Sequence, residues 1–318
     1  MSNRVRLSQA SMIVTLGIIL SLVTMYVPML GILSLVIPVP YAIISTLTDN
    51  KYSFLSLVVT FFVLMFAVNP IYSVNICILK VLPAIAIGTI AREHLKQGEV
   101  NKFEPIYMGI IANVVCVIIF FLIANSVFGR NILEDFMTAI KESMTMQFEL
   151  FKGAGIDLGE GVSVSSMVDF TRNMLPTLLF FIGTILSFIT YYVEVFILKR
   201  VRLVNLPLPK ISDFYLPGNA VTISFLIYMV VLLADIIGIN MHTELIMLNL
   251  QFVFNFMFMI QGISVCIYFF RKWIRQGAGR MILTYGLILS LFGFMGVSFV
   301  GMLDSIIDFR KVRSYKST

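Results

Sequence analysis

The sequence predicts an all-α integral membrane protein, a polytopic bundle of eight to nine transmembrane helices. Three observations predict it. Of 318 residues, 59% are apolar and only 13% charged, against about half and one quarter in soluble domains. Mean hydropathy is +0.96. Apolar runs lie at about 9–30, 32–48, 53–70, 72–91, 105–127, 173–198, 219–239, 245–270 and 281–303, each long enough, or nearly so, for the roughly 20 residues that span a bilayer core. Nearly all of the chain is thereby committed to the membrane, and little soluble mass remains for a catalytic or nucleic-acid-binding domain. The net charge of +6 sits mostly in short loops between the runs, so nucleic acid is not an expected partner; the lipid bilayer is.

The elements follow in order. The run 9–30 comes after Arg4 and Arg6, exceeds the roughly 7–15-residue core of a signal peptide, lacks a clear cleavage site, and is read as the first membrane helix. Pro38 and Pro40 stand near the start of the second run and interrupt helical hydrogen bonding, which predicts a short or broken helix. Segment 128–172 is the one long loop. Within it Leu133, Phe136, Met137, Ile140, Met144, Phe148 and Phe151 recur at helical spacing, with Glu134, Asp135, Lys141, Glu142 and Glu149 on the other face. This pattern predicts an amphipathic helix at the membrane surface. It is read either as a lid over an outward-facing cavity or as an interfacial spacer.

Placing the N terminus in the cytoplasm puts 14 basic residues inside: Arg4, Arg6, Lys51, Arg92, Lys96, Lys102, Lys199, Arg200, Arg202, Lys210, Arg271, Lys272, Arg275 and Arg280. The turns near Gly31, 69–73 and 240–244 then face outward without any Lys or Arg, as the positive-inside rule requires. The basic tail Arg310, Lys311, Arg313 and Lys316 looks cytoplasmic by the same rule, whereas a ninth crossing would place it outside. Gly286, Gly293, Gly296 and Gly301 would allow the last run to fold back as a hairpin, so eight crossings plus a hairpin and nine crossings both remain open.

Few residues carry chemistry. Lys80 lies near the middle of the fourth span, where an ammonium is costly unless paired or facing a wet cavity. It either contacts an anionic solute or pairs with Glu194 of the sixth span, and the two readings are compatible. Asn69, Asn75 and Asn113 are polar amides that could line a cavity in the first half, as helix–helix hydrogen bonding also explains. Gln251, Asn255 and Gln261, polar amides in the second half, are expected to find helix–helix hydrogen bonds. Asp235, His242 and Glu244 form a weak metal candidate with no ligand spacing, more simply the polar ends of a hairpin, and no metal site is assigned. His94 is expected to be solvated. Asp304 and Asp308, followed by Arg310 and Lys311, read as a membrane-boundary charge cluster. Cys77, Cys116 and Cys266 lie in apolar runs and read as small buried hydrophobes. Small residues at four-residue spacing (Ser11 and Thr15, Gly17 and Ser21, Ala84 and Gly88, Gly183 and Ser187) mark close helix approaches. No HExxH, GxSxG or GxxxxGK[ST] motif occurs, so no catalytic residue or cofactor is assigned, and any ATP-driven step would need a separate ATPase chain.

Several local features are more specific. They are the entry Leu7-Ser8-Gln9-Ala10, the exit Tyr26-Val27-Pro28, the start Pro38-Val39-Pro40, the inner turn Asp49-Asn50-Lys51, and the ending Gly301-Met302-Leu303-Asp304 through Asp308-Phe309-Arg310-Lys311. In these the chain resembles the YybS (DUF2232) family of bacterial multi-pass membrane proteins. That family's first six helices are similar to the substrate-binding S components of energy-coupling-factor transporters, which capture vitamins or metal ions on the outer side. The resemblance implies a bacterial plasma-membrane protein with an S-component-like six-helix core over 1–198, carrying the outer insertion 128–172. A cytoplasmic linker at 199–218 and C-terminal membrane helices with a basic cytoplasmic tail at 219–318 would follow. It implies capture of a small solute, with Lys80, Asn69, Asn75, Asn113 and Glu194 as candidate binding residues. Ala10, Ser11 and Thr15 would form the face that docks a coupling or ATPase module. The rival expectation is a membrane scaffold or regulatory protein that keeps the fold without transporting.

Overall fold

The computed structural model describes residues 7–97, 101–129, 131–155, 163–202, 208–216, 219–239, 242–273, 293 and 295–311. Among these every regular element is helical. Seven helical segments are long and apolar enough to cross a membrane: Ser8–Tyr26, Pro28–Leu47, Asn50–Ala67, Pro70–Leu95, Glu104–Phe128, Leu175–Arg200 and Thr243–Arg271. Two apolar helices are shorter, Ala220–Ile236 and Met295–Ile307. The protein is therefore an all-α polytopic membrane protein. Residues 274–292, on which the choice between a terminal hairpin and a ninth crossing turns, lie outside the described residues.

The chain forms two compact units, Met1–Leu208 and Pro209–Thr318. In the first, α1 (Leu7–Tyr26) ends where Pro28 begins a 3-10 segment, Pro28–Leu35, and α2 (Pro38–Leu47) follows. Pro38 and Pro40 fall in the first turn of α2, where a missing N–H costs no helical bond, so the second run is a helix of changed pitch rather than one straight rod. Residues 38–46 are all buried. At about 1.5 Å per residue α2 is a short central peg, and it packs on α1, α3 (Asn50–Ala67), α5 (Leu82–Gln97) and α9 (Leu175–Arg200). Helix α3 presents Ser53, Ser56, Thr60 and Leu64 to the interior, while Phe54, Phe62 and Phe66 are exposed. Small and polar residues thus face protein and large apolar ones face lipid, the arrangement expected where the solvent is itself apolar.

The fourth crossing has an interruption. Asn69 caps α4 (Pro70–Ile76), accepting from Tyr72 N–H at 2.7 Å, and α5 continues the same rod. Between them Cys77–Val81 form a π-helical turn, closed by the Leu82 N–H donating to Cys77 O. Helix α6 (Glu104–Phe128) starts with Pro105 in its first turn and stops at Gly129, whose φ of +60° suits a glycine. The insertion that follows is a helical pair: α7 (Ile132–Gly153) and α8 (Val164–Asn173) pack on each other. Met137 is buried and Leu133, Ile140, Met144 and Phe148 are partly so, which is the predicted apolar face, though Phe136 and Phe151 stay exposed. Helix α8 had no counterpart in the sequence reading.

In the second unit a 3-10 turn, Ile211–Asp213, packs against α11 (Thr243–Trp273), which also meets α10 (Ala220–Ile236). Residues 209–216, in the segment read as linker, are thus part of this unit. Helix α12 (Met295–Ile307) lies backbone to backbone with α11: a Cβ on Gly262 would stand 1.9 Å from Val297 O, and one on Gly301 1.9 Å from Phe258 O.

The tightest approach in the first unit is at Gly88, where an added Cβ would lie 2.3 Å from Ala42 O. Gly88→Ala is expected to destabilise the protein by about 1–3 kcal/mol through overpacking. Gly153→Ala, whose Cβ would meet nothing within 4 Å, should not lower stability. Thermal melts of the two variants in the same detergent compare them directly.

Candidate functional site

Inside a bilayer no water is available to satisfy a polar side chain, so each must find a protein partner or line a wet cavity. Around α2 most do. Ser45 Oγ donates to Ile85 O at 2.9 Å and lies 3.0 Å from Thr89 Oγ1. The Tyr41 hydroxyl is 3.0 Å from Thr60 Oγ1, and its ring fills the space left by Gly17. Tyr72 Oη donates to Ser21 O at 2.6 Å. Arg92 of α5 donates to Thr48 O and to Asn50 Oδ1, locking the turn between α2 and α3. The small pairs Gly17/Ser21 and Ala84/Gly88 are therefore used for packing within the chain.

The expected binding residues separate in the structure. Asn69 is exposed and spends its side-chain oxygen on the α4 cap. Asn113 is buried, donating to Gly109 O at 2.9 Å and to Ser187 Oγ at 3.1 Å, and Ser187 in turn donates to Gly183 O. That network joins α6 to α9. Glu194, fully buried on α9, bonds Thr46 of α2. It does not pair with Lys80 as one reading of the sequence had it. Among the described residues ion pairs join His94 to Glu104, Arg172 to Glu134 and Arg310 to Asp304, and Lys80 is in none of them.

Lys80 is half-buried and sits inside the π-turn, about 15 Å along the rod from Pro70 at a helical rise of 1.5 Å per residue. Asn75, also half-buried, precedes it by five residues, in the last turn of α4. In the proposed docking face Ala10 is buried, while Ser11 and Thr15 are exposed and bond back to Ser8 O and Ser11 O of their own helix.

Other expectations are corrected or refined by geometry. His94 is not solvated: its side chain is 9% exposed and its Nε2 lies 3.0 Å from Glu104. Asp235 accepts from Thr243 Oγ1 at 2.6 Å, and no cluster of three metal-capable side chains occurs among the described residues. Arg310, read as part of a membrane-boundary charge cluster in the basic tail, is buried. Its guanidinium donates to Asp304 Oδ2 at 2.8 Å, to Ser212 O at 2.8 Å, to Phe214 O at 2.7 Å and to Ser264 Oγ. Gln261 completes the cluster, donating to Asp304 and accepting from Leu216 N–H, both at 2.9 Å. The sequence signal for this was slight: Gln261 and Ser264 one turn apart in an apolar run, and an Arg six residues after an Asp.

A cleft of about 290 Å³ opens between α7 and α8, lined by Glu134, Thr138, Lys141, Ser165, Asp169 and Arg172. Arg172 and Glu134 are 3.2 Å apart there, each about half exposed. The lining mixes both signs of charge.

Fold and site together define a multi-pass membrane protein with a polar, internally bonded core and, among the described residues, an intramembrane lysine in no ion pair. The family of predicted membrane proteins designated DUF2232 matches residues 15–305, and the chain belongs to that family. It is 22% identical over 304 residues to the uncharacterized protein YybS of Bacillus subtilis (strain 168), covering 94% of this chain and 95% of that one. No solved structure matches it.

Two ion pairs of different burial yield a comparison. Arg310→Met would strand the Asp304 carboxylate, both side chains being at most 2% exposed, at an expected cost of about 3–5 kcal/mol. Arg172→Met breaks a half-exposed pair and should cost about 0–1 kcal/mol. Denaturation midpoints of the two variants test the difference.

Proposed function

We propose that this is a bacterial plasma-membrane protein that binds a small anionic or carboxylate-bearing solute within its first unit, in the manner of an S component. The observation that carries this reading is Lys80, a half-buried ammonium near the middle of a crossing, in no ion pair among the described residues. Such a group needs an anion or water beside it, and a solute carboxylate is both a counter-charge and a hydrogen-bond acceptor. The π-turn supports the same reading, since π-turns are frequent at functional sites, and Asn75 stands five residues before Lys80 in the last turn of α4. Asn69, Asn113 and Glu194 are already engaged with protein groups and contribute to the shape of the site rather than to its first contacts. The N terminus is cytoplasmic, capture occurs from the outer side, and Ser11 and Thr15 offer an exposed face to a separate coupling or ATPase chain.

The reading is tested by purifying the full chain from its native membrane and identifying retained small molecules and proteins by mass spectrometry. One enriched anionic metabolite, lost in a folded Lys80→Met variant at equal yield, is the expected result. Retention unchanged in Lys80→Met would remove Lys80 from the site, and a stoichiometric protein partner with no solute would favour the scaffold instead. Sidedness has its own check. A membrane-impermeant maleimide should label Ser163→Cys on intact cells and Lys51→Cys only after permeabilisation, and the reverse pattern would invert the topology.

A further inference from the structure

Glu194 raises a question of proton inventory that does not depend on the solute reading. Its side chain is wholly buried on α9, and Thr46, on α2, is 3% exposed. Thr46 Oγ1 is in hydrogen-bond contact with Glu194 Oε1 and also lies 3.0 Å from Gly88 O of α5. A hydroxyl has one proton, and here it stands between two oxygens that ordinarily only accept. If Thr46 donates to Gly88 O, the contact with Glu194 lacks a hydrogen unless the carboxyl supplies it. If Thr46 donates to Glu194, a full negative charge sits out of water on a single hydrogen bond, with Oε2 buried and without a partner.

Among the described residues no counter-ion relieves that second case. Helix α5 carries Arg92, whose Nη1 and Nη2 are committed to Thr48 O and Asn50 Oδ1, then Glu93 and His94, the last paired with Glu104. Helix α2 brings Thr46 and, one turn earlier, Tyr41 and Ala42, with no charged group; residues 28–35 carry none. Helix α6 contributes Tyr107 and Cys116 along its length and Glu104 at its start, the last paired with His94. Helix α8 contributes Asp169 and Arg172, and Arg172 is paired with Glu134. On α9 itself are Tyr191 and Tyr192, and Lys199 and Arg200 are at its far end. No Lys, Arg or His among the described residues is within ion-pair distance of Glu194.

We propose that Glu194 is a proton-binding site: the folded protein holds its carboxyl protonated, and that proton completes a relay in which Glu194 donates to Thr46 and Thr46 donates to Gly88 O. One added proton satisfies every contact in the relay and removes the charge. Three helices, α9, α2 and α5, are then joined through a single exchangeable hydrogen. Thr190 Oγ1, one turn before Glu194 and also buried without a partner, marks with Glu194 Oε2 the place where a water molecule would stand to deliver or remove it. Loss of the proton would charge the relay and weaken the contact between α2 and α9.

The test uses the full chain in lipid nanodiscs. Infrared spectra at neutral pH should contain the C=O band of a protonated carboxylic acid that is absent from Glu194→Gln. Raising the pH above the ordinary glutamate range should lower the wild-type Tm, because the folded state binds a proton that the unfolded chain has released. Glu194→Gln, whose amide N–H can donate to Thr46 without a charge, should lose this component of the pH response. A purely ionised Glu194 in the spectra, or the same pH response in both proteins, would overturn the proposal. So would a Tm raised by sodium or potassium in the wild type but not in Glu194→Gln, which would make the occupant a metal cation. Should Glu194→Gln fail to fold, Thr46→Val serves in its place: the acid band should persist and shift to higher frequency, and its absence there would also overturn the assignment.

Discussion

The first unit depends on the approach of α2 to α5 at Gly88. With Ala42 O where a side chain would otherwise be, the two backbones are close enough for Ser45 and Thr46 to reach carbonyls of α5 directly. The same register puts Thr46 against Glu194, so α9 is positioned by α2 as well. Arg92, one turn beyond Gly88, then secures the end of α2 from the other side. In a bilayer, association gains little from burying apolar surface, because lipid tails are as apolar as the core; close packing and interhelical hydrogen bonds decide it. A glycine, two hydroxyl residues and an arginine therefore do what a leucine-rich interface does in a soluble bundle.

That solvent also explains what could be read in the chain. The crossings were legible because their length is set by bilayer thickness, and the prolines at 38 and 40 announced the change of pitch before α2. The face of α7 was legible for the opposite reason: a helix with a polar side has a periodic pattern to read. Within the crossings pattern fails. The interior of α3 is Ser53, Ser56 and Thr60, and its exterior is phenylalanine, so apolar periodicity points away from the core. The small-residue pairs Gly17/Ser21, Ala84/Gly88 and Gly183/Ser187 carried the information instead.

The candidate site was legible in kind but not in pairing. That Lys80 and Glu194 are exceptional follows from their placement in apolar runs. Which partner each takes depends on the distance between helices, and no spacing along the chain encodes that. Glu194 meets a threonine 148 residues away. Arg310 is the sharper case. Tail composition resembles an exposed basic cluster, yet five donors of one guanidinium can collect the loose carbonyls of Ser212 and Phe214 together with a carboxylate. It does for the second unit what water does at the surface of a soluble protein.

The π-turn at Cys77–Val81 has a consequence for how the fourth crossing is built. A π-turn accommodates one residue more than the α-helix would place there, so the two flanking helices are out of phase by about 100°, the angle per residue of a 3.6-residue turn. Deleting any one residue of the turn would heal the rod into continuous α-helix and rotate Asn75 and the cap at Asn69 by that angle relative to Gly88. The cap face and the packing face of this crossing are thus set independently, by the presence of a single extra residue, and Lys80 is carried at the seam between them.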